Sequence, residues 1–352
     1  MAGKEMGKQS VEFEKPPLIV GAASIVGQKE GNGPYGKYFD KIEKDPMAGA
    51  KTWEEAEEKF QEKAAKLAIE KCGLKPSDIR YLVAGDLLGQ LIASSFGLMS
   101  LDIPIFGVYG ACSTMGESLA IGSMLVDGGF ADRVVALTSS HFASAEKQFR
   151  FPLGYGNQRP KAATWTVTGS GAVVLSSQMD TKKKLKGKTP VQHLVQVRGV
   201  TTGKIVDYGI KDSMNMGACM APAAAEVIAQ NMQDFGYLPK DYDQIVTGDL
   251  GKVGKDILID ILRARGYDIS SNYMDCGIEI YEENQKVQSG GSGCGCSAVM
   301  LTGYILQKLQ KGEWKRVLFV PTGALLSTVS FNEGNSVPGI AHGVILETAS
   351  EG

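Results

Sequence analysis

The sequence predicts an α/β fold of two pseudo-repeated halves, with mixed, mostly parallel sheets layered with helices. Three observations predict it. The chain has 352 residues, where an ordinary domain takes roughly 100–200. A stretch of the first half recurs in the second. Short apolar runs that suit buried strands alternate with helical patterns throughout.

The repeat compares Cys72–Leu87, CGLKPSDIRYLVAGDL, with Phe235–Leu250, FGYLPKDYDQIVTGDL. Gly73, Pro76, Asp78, Val83, Gly85, Asp86 and Leu87 coincide without a gap with Gly236, Pro239, Asp241, Val246, Gly248, Asp249 and Leu250. A match at fixed offset marks a duplication. Looser echoes follow: Gly129–Thr138 resembles Gly312–Pro321, and Gly171–Ser176 resembles Gly343–Thr348. The halves are set at residues 10–180 and 190–350. Their joint is Met179–Pro190, where five lysines between Lys182 and Lys188 read as a solvated linker or as a weak contact with anionic lipid.

The elements follow in order. A helix is predicted from Trp53 to about Cys72. Thr52 and Glu55 form its capping box. Trp53, Ala56, Phe60, Ala64 and Leu67 share one face, Gly73 ends the helix and Pro76 forbids its continuation. Tyr81–Ala84 suits a buried parallel strand. The apolar run Ile103–Val108 precedes a glycine-flanked turn with Cys112, and Met115, Leu119, Met124 and Leu125 then mark a helix. Arg133–Thr138 is a strand. In the second half a helix carries Pro222 in its first turn, ends at Gly236 and leads into the strand Gln244–Thr247.

Composition excludes several classes. There are 37 Lys and Arg against 39 Asp and Glu, a net charge of −2, which disfavours a nucleic-acid binder. No run of about 18 apolar residues is present, and Met1–Pro17 lacks the apolar core of a signal peptide, so any membrane association is peripheral. The six cysteines read as thiols. The three histidines, His141, His193 and His342, exclude a site of four histidine ligands.

Cys112 is the leading candidate for chemistry. At a strand-to-helix turn, free N–H groups and the helix dipole favour an anion and lower a thiol pKa; the alternative is a small core residue. Ser113 belongs to the same turn. Ser140 and His141, after the predicted strand, are placed at the same pocket. Arg150, between Phe149 and Phe151, suits a carboxylate. The loop Gly290–Cys296, GGSGCGC, offers backbone donors for an anion, with Gly293, Cys294 and Cys296 as candidates. Two cysteines are too few for structural zinc, so no metal is expected. Asp86 and Asp249, at equivalent repeat positions, could line the pocket but read rather as turn caps, and His342 is a further candidate.

The two duplicated halves and GACS entering a buried helix resemble the thiolase and ketoacyl-synthase superfamily. Within it, the chain is similar to the stage V sporulation protein AD family of endospore-forming bacteria. The similarity rests on VAGDLL at 83–88, GACSTMGES at 110–118, LVDGGFADR at 125–133 and TSSHFASAEKQFRFP at 138–152. It continues in TVTGSGAVV at 166–174, MGACMAPAAA at 216–225, VTGDL at 246–250, GGSGCGCSAV at 290–299, TGALLS at 322–327 and IAHGV at 340–344. The resemblance implies a thiolase-like fold and a binder of dipicolinic acid, with or without calcium and without a cofactor. It further implies action with membrane subunits that move this compound into the developing spore, at the cytoplasmic face of the inner forespore membrane. A homodimer pairing through Ile103–Tyr109 is also implied. Condensing enzymes of the superfamily supply a histidine from the second half. Here that loop reads Thr247-Gly-Asp-Leu250, and no histidine lies between His193 and His342. The expectation is therefore a binding protein in which Cys112 is a vestigial nucleophile. The alternative is an acyl-CoA thiolase or ketoacyl-synthase-type acyltransferase with Cys112 as nucleophile.

Overall fold

The computed structural model describes residues 4–149, 159–178 and 192–349. The predicted linker at 179–190 and Arg150 lie outside the described residues. Ten strands form the body of one sheet. The first half gives β1 (Leu18–Gly27), β2 (Tyr81–Gly85), β3 (Ile105–Gly107), β4 (Arg133–Ser140) and β5 (Gly169–Ser176). The second gives β6 (Val195–Thr201), β7 (Gln244–Thr247), β8 (Tyr273–Asp275), β9 (Arg316–Val320) and β10 (Gly343–Thr348). Their order in space is β3-β2-β4-β5-β1-β6-β10-β9-β7-β8. Each half therefore repeats one arrangement. The halves join where β1 and β6 pair antiparallel, with Leu18 opposite Gln196 and Ile19 opposite Val195. In each half four strands share a direction. The fifth, β5 or β10, runs against its neighbours.

Period-two alternation distributes the strand side chains between two faces. On β4, Val134 and Ala136 enter a central core, while Val135 and Leu137 enter an outer one. On β9, Val317 and Phe319 point centrally, and Leu318 and Val320 outward. The outer faces are covered by α1 (Trp53–Lys71), through Phe60, Ala64 and Ala68, and by α4 (Met216–Phe235), through Val227 and Ile228. The central core holds α2 (Thr114–Asp127), with Met115 and Leu119, and α5 (Cys294–Met300), with Val299 and Met300. A helix buried on all sides must be apolar all round. Both central helices have mostly small or apolar residues, and both begin at the candidate site.

The repeat is physical as well as textual. Gly73 and Gly236 both take φ +68°. The following turns, Pro76–Asp78 and Pro239–Asp241, close alike. Lys75 N donates to Asp78 at 2.8 Å, and Leu238 N to Asp241 at 2.7 Å.

Local details differ from the sequence reading. Thr52 caps α1 by accepting from Glu55 N at 3.1 Å, but Glu55 answers Lys51 N at 2.8 Å rather than Thr52 N. Pro222 is not in the first turn of α4. The helix starts six residues earlier, because Asn215 caps it by accepting from Ala218 N. No helix of the described residues is long and apolar enough to cross a membrane.

Candidate functional site

The turn between β3 and α2 carries Cys112. The residue before it, Ala111, has φ +48°. This left-handed geometry costs a non-glycine residue roughly 1–2 kcal/mol, so its surroundings must hold it. Ser113 Oγ donates to Gly110 O at 2.6 Å, and Thr114 Oγ1 to Ala111 O at 2.6 Å. From the other half, Gly323 approaches so closely that a Cβ there would lie 2.3 Å from Gly110 O. Both halves thus clamp the turn.

Cys112 is buried at the base of a narrow cleft. Ser292, Gly293 and Thr166 line it beside the thiol, while Tyr109, Phe149, Met216 and Leu326 wall it with apolar surface. An outer hollow of about 1050 Å³ shares Leu87, Tyr109, Phe149 and Leu326 with the cleft, so these four stand between the cleft and the hollow.

The Cys112 thiol lies 4.0 Å from Ser292 Oγ. Asp249, from the loop after β7, completes the base. Its Oδ1 accepts from Thr322 Oγ1 at 2.8 Å, and its Oδ2 from Ser292 Oγ at 2.8 Å and Gly293 N at 3.0 Å. Desolvation pushes the Cys112 pKa well above the usual thiol value, and the adjacent Asp249 charge pushes it the same way. This corrects the expectation of a lowered pKa: burial and a carboxylate outweigh the helix dipole. Burial also raises Asp249, while its hydrogen bonds oppose the shift.

The structure distributes the predicted residues over several places. Cys112 and Gly293 line the cleft. Ser113 is spent on the turn. Ser140 Oγ donates to Val167 O at 2.7 Å and accepts from Gly295 N at 3.0 Å, tying the glycine loop to β4. The thiols of Cys294 and Cys296 point to different carbonyls, Ala111 O at 3.1 Å and Gly248 O at 3.4 Å. The loop is not an open anion nest, since its N–H groups at Gly293, Gly295 and Cys296 are bonded to Asp249, Ser140 and Gly293 O.

His141 does not face the cleft. Its Nε2 meets Pro46 O at 2.8 Å, and its Nδ1 accepts from Ala143 N. His342 is buried near Gly116 of α2, and its Nδ1 accepts from Gly203 N at 3.3 Å. Among the described residues no histidine lines the cleft. Asp249, Ser292 and Thr322 were not chosen as site residues from the sequence. The one signal was Asp249's place in the repeated Gly-Asp-Leu.

Two more buried carboxyls stand at the cleft and behind it. Glu146 lines the cleft, in a buried ion pair with Arg159 at 2.8 Å. Behind it Glu57 accepts from Ser139 Oγ and Ser144 Oγ at 2.8 and 2.6 Å. Burial, with the nearby Asp86, pushes Glu57 up to about 8.

Residues 7–347 match the family described as stage V sporulation protein AD. The stage V sporulation protein AD of Bacillus subtilis (strain 168) is 45% identical over 346 residues, 98% of each chain. Among solved structures, 3-oxoacyl-[acyl-carrier-protein] synthase III from Aquifex aeolicus VF5 superposes with a TM-score of 0.56. It is 13% identical, covering 94% of this chain and 99% of that one. Human mitochondrial 3-ketoacyl-CoA thiolase superposes with a TM-score of 0.57 at 12% identity, covering 96% and 99%. These two likenesses concern the fold, which is that of thiolases and ketoacyl synthases. With its repeated halves, its Cys112 turn and a match along almost its whole length, the chain belongs to the stage V sporulation protein AD family.

Proposed function

We propose that this sporulation protein binds dipicolinic acid, pyridine-2,6-dicarboxylate, in the Cys112 cleft and supports its uptake into the developing spore. The observation that carries the reading is the partner of Cys112. It is a carboxyl group with three hydrogen bonds, where a condensing enzyme needs a base free to take a proton. A neutral thiol beside Asp249 is a poor nucleophile, yet the cleft around it remains. Tyr109 and Phe149 offer rings to an aromatic ligand.

The carboxyl beside Cys112 selects the form of the ligand. A bare dianion would be repelled by Asp249. The calcium chelate of dipicolinate is neutral, and its metal prefers further oxygen ligands. Glu146 lines the cleft in its pair with Arg159, and Asp249 lies beneath it, bonded to Ser292 and Gly293. The protein acts as a peripheral component beside membrane subunits, at the cytoplasmic face of the inner forespore membrane. It pairs as a homodimer along β3, whose edge leaves Ile105 and Phe106 44% and 47% exposed, an unpaired apolar edge of the kind that pairs with another chain.

Calorimetric titration with dipicolinate, with and without calcium, tests the reading. Isophthalate serves as the control lacking the ring nitrogen. The expected result is saturable binding that prefers dipicolinate and tightens with calcium. No heat and no thermal stabilisation at roughly millimolar ligand would overturn it.

One observation favours a second reading, as an acyltransferase: the strained Ala111 turn presents Cys112 at a helix start, as a nucleophile would be presented. Incubation with acyl-CoA and mass analysis of the Cys112 peptide decides. An acyl adduct on Cys112 establishes this reading, and an unmodified thiol removes it.

A further inference from the structure

A second cavity lies behind one wall of the Cys112 cleft. That wall is α3 (Phe142–Phe149) together with the short strand Trp165–Thr166. Ala145, Glu146 and Phe149 of α3 line the cleft, whereas Phe142 and Ala143 line the second cavity. The strand alternates in the same sense: Thr166 borders the cleft and Trp165 the cavity. The cavity is wider and more open than the cleft.

Its chemistry differs from that of the cleft. Two lysines, Lys29 and Lys44, line it. Lys29 Nζ sits 4.3 Å from the Trp165 ring centre and donates to Gln285 O at 2.8 Å, which leaves two of its three donors. Trp165 is itself stacked flat on Phe142, with centroids 3.9 Å apart and planes at 5°. The cation–π contact and the stack hold that ammonium in place. Lys44 is exposed and makes no ion pair among the described residues. Trp53 supplies a second indole, beside the His141 ring.

The remaining titratable groups around the cavity leave this positive charge in place. Glu30 lines it, but its carboxyl accepts from Tyr281 Oη and from Thr168 N. Glu54, near His141, is paired with Lys147 at 2.7 Å. Burial holds His141 below its ordinary pKa, so its ring is neutral, and both ring nitrogens are already bonded.

We infer that this cavity is a second binding site, for a flat aromatic carboxylate, with the acid group on Lys29 and Lys44 and the ring against the Trp53 indole, beside the Trp165–Phe142 stack. With dipicolinate as the acid, the inference rests on the function proposed above. It differs in one respect: nothing in this cavity selects a ring nitrogen or a bound calcium. Isophthalate is therefore expected to bind here as well as dipicolinate does.

The chain has three tryptophans, and two of them line this cavity. The Trp314→Phe variant leaves only Trp53 and Trp165 as indole reporters. Both acids are titrated into it in the absence of calcium, with emission excited at the red edge of the indole band. Calorimetry counts sites in parallel. Expected is saturable quenching by either acid, with affinity falling about tenfold or more in Lys29→Gln/Lys44→Gln. Lys44→Glu alone, at an exposed position, guards against a folding defect and is expected to weaken quenching too. Dipicolinate binding that ignores all lysine substitutions and shows one site overturns the second site and leaves the cleft. Quenching by isophthalate with no calcium-dependent dipicolinate binding keeps the cavity and overturns the cleft reading. Quenching by neither acid overturns the cavity.

Discussion

The loops Gly85-Asp86-Leu87 and Gly248-Asp249-Leu250 have the same sequence at equivalent places in the two halves, and they do different work. Asp86 serves its own neighbourhood. It accepts from Leu88 N at 2.8 Å and from Ser94 N and Oγ at 2.8 and 2.6 Å, all within eight residues. Asp249 serves distant chain. Its partners Ser292, Gly293 and Thr322 are 43 to 73 residues away, and Cys112 comes from the other half. Asp275 explains the release. It accepts from Leu250 N at 2.9 Å and Gly251 N at 3.1 Å, so the loop after β7 is capped from β8 and its own aspartate is free to turn inward. The motif is shared, and in the second copy Asp275 caps the loop while Asp249 turns toward Cys112.

The strongest way to break this comparison is to substitute both aspartates. Asp86→Ala and Asp249→Ala each strand buried donors, and each is expected to lower stability by roughly 2–4 kcal/mol. The amide variants then separate the roles. Asp249→Asn is expected to weaken binding of the calcium chelate by about tenfold or more. It should also lower the Cys112 pKa, seen as faster alkylation of the thiol at a given pH, because the adjacent negative charge is gone. Asp86→Asn should leave ligand affinity and Cys112 reactivity unchanged in the same assays. Equal effects of the two amides would dissolve the distinction.

A second difference between the halves is sharpened by pH. In the first half Glu57 is raised to about 8, by burial and then by Asp86. In the second Asp275 is raised only to about 6, again chiefly by burial. A carboxyl raised on folding binds its proton more tightly in the native state. Its stabilisation is complete below the unfolded pKa and is lost as pH rises through the folded one. For Glu57 that window runs from 4.5 to about 8. Glu57→Gln mimics the protonated acid. In urea unfolding it is expected to match the parent near pH 5 and to exceed it near pH 8 by on the order of a few kcal/mol. His342, lowered to about 4 by burial, acts in the opposite sense and removes stability as pH falls from 6.5 through that value. An Glu57→Gln curve parallel to the parent would mean that Glu57 is ionised in the native protein.

What could be read in the sequence was whatever short-range chemistry decides. The Gly-x-x-Pro-x-Asp turns, the end of α1 and the strand Gln244–Thr247 follow from local preferences, and they appear as read. Cys112 was found because a helix start after a strand is also local. Its ionisation could not be read, since desolvation and a carboxylate 137 positions along the chain decide it. His141 was misplaced for a related reason. It lies just past the end of β4, where the strand no longer fixes its face, and Pro46 O and Ala143 N hold it toward the second cavity. The start of α4 was missed because Pro222 invited a first-turn reading, while the cap that decides it, Asn215, stands seven residues before.

The smallest expected effect tests how far the halves remain equivalent. Gly73 and Gly236 both hold φ +68° after their helices. A Cβ at Gly236 would meet nothing within 4 Å, so its substitution is opposed by backbone strain alone. Gly236→Ala is therefore expected to cost roughly 1–2 kcal/mol, read as a lower unfolding midpoint with an unchanged slope in denaturant. Gly73→Ala should cost the same, because the backbone angle is the same and each turn is closed by an equivalent aspartate. The two loops diverge only after β2 and β7, where tertiary partners enter. A clearly larger loss at one glycine would place the divergence earlier, at the helix ends themselves, and the two copies would then differ in the turn as well as in the aspartate that follows it.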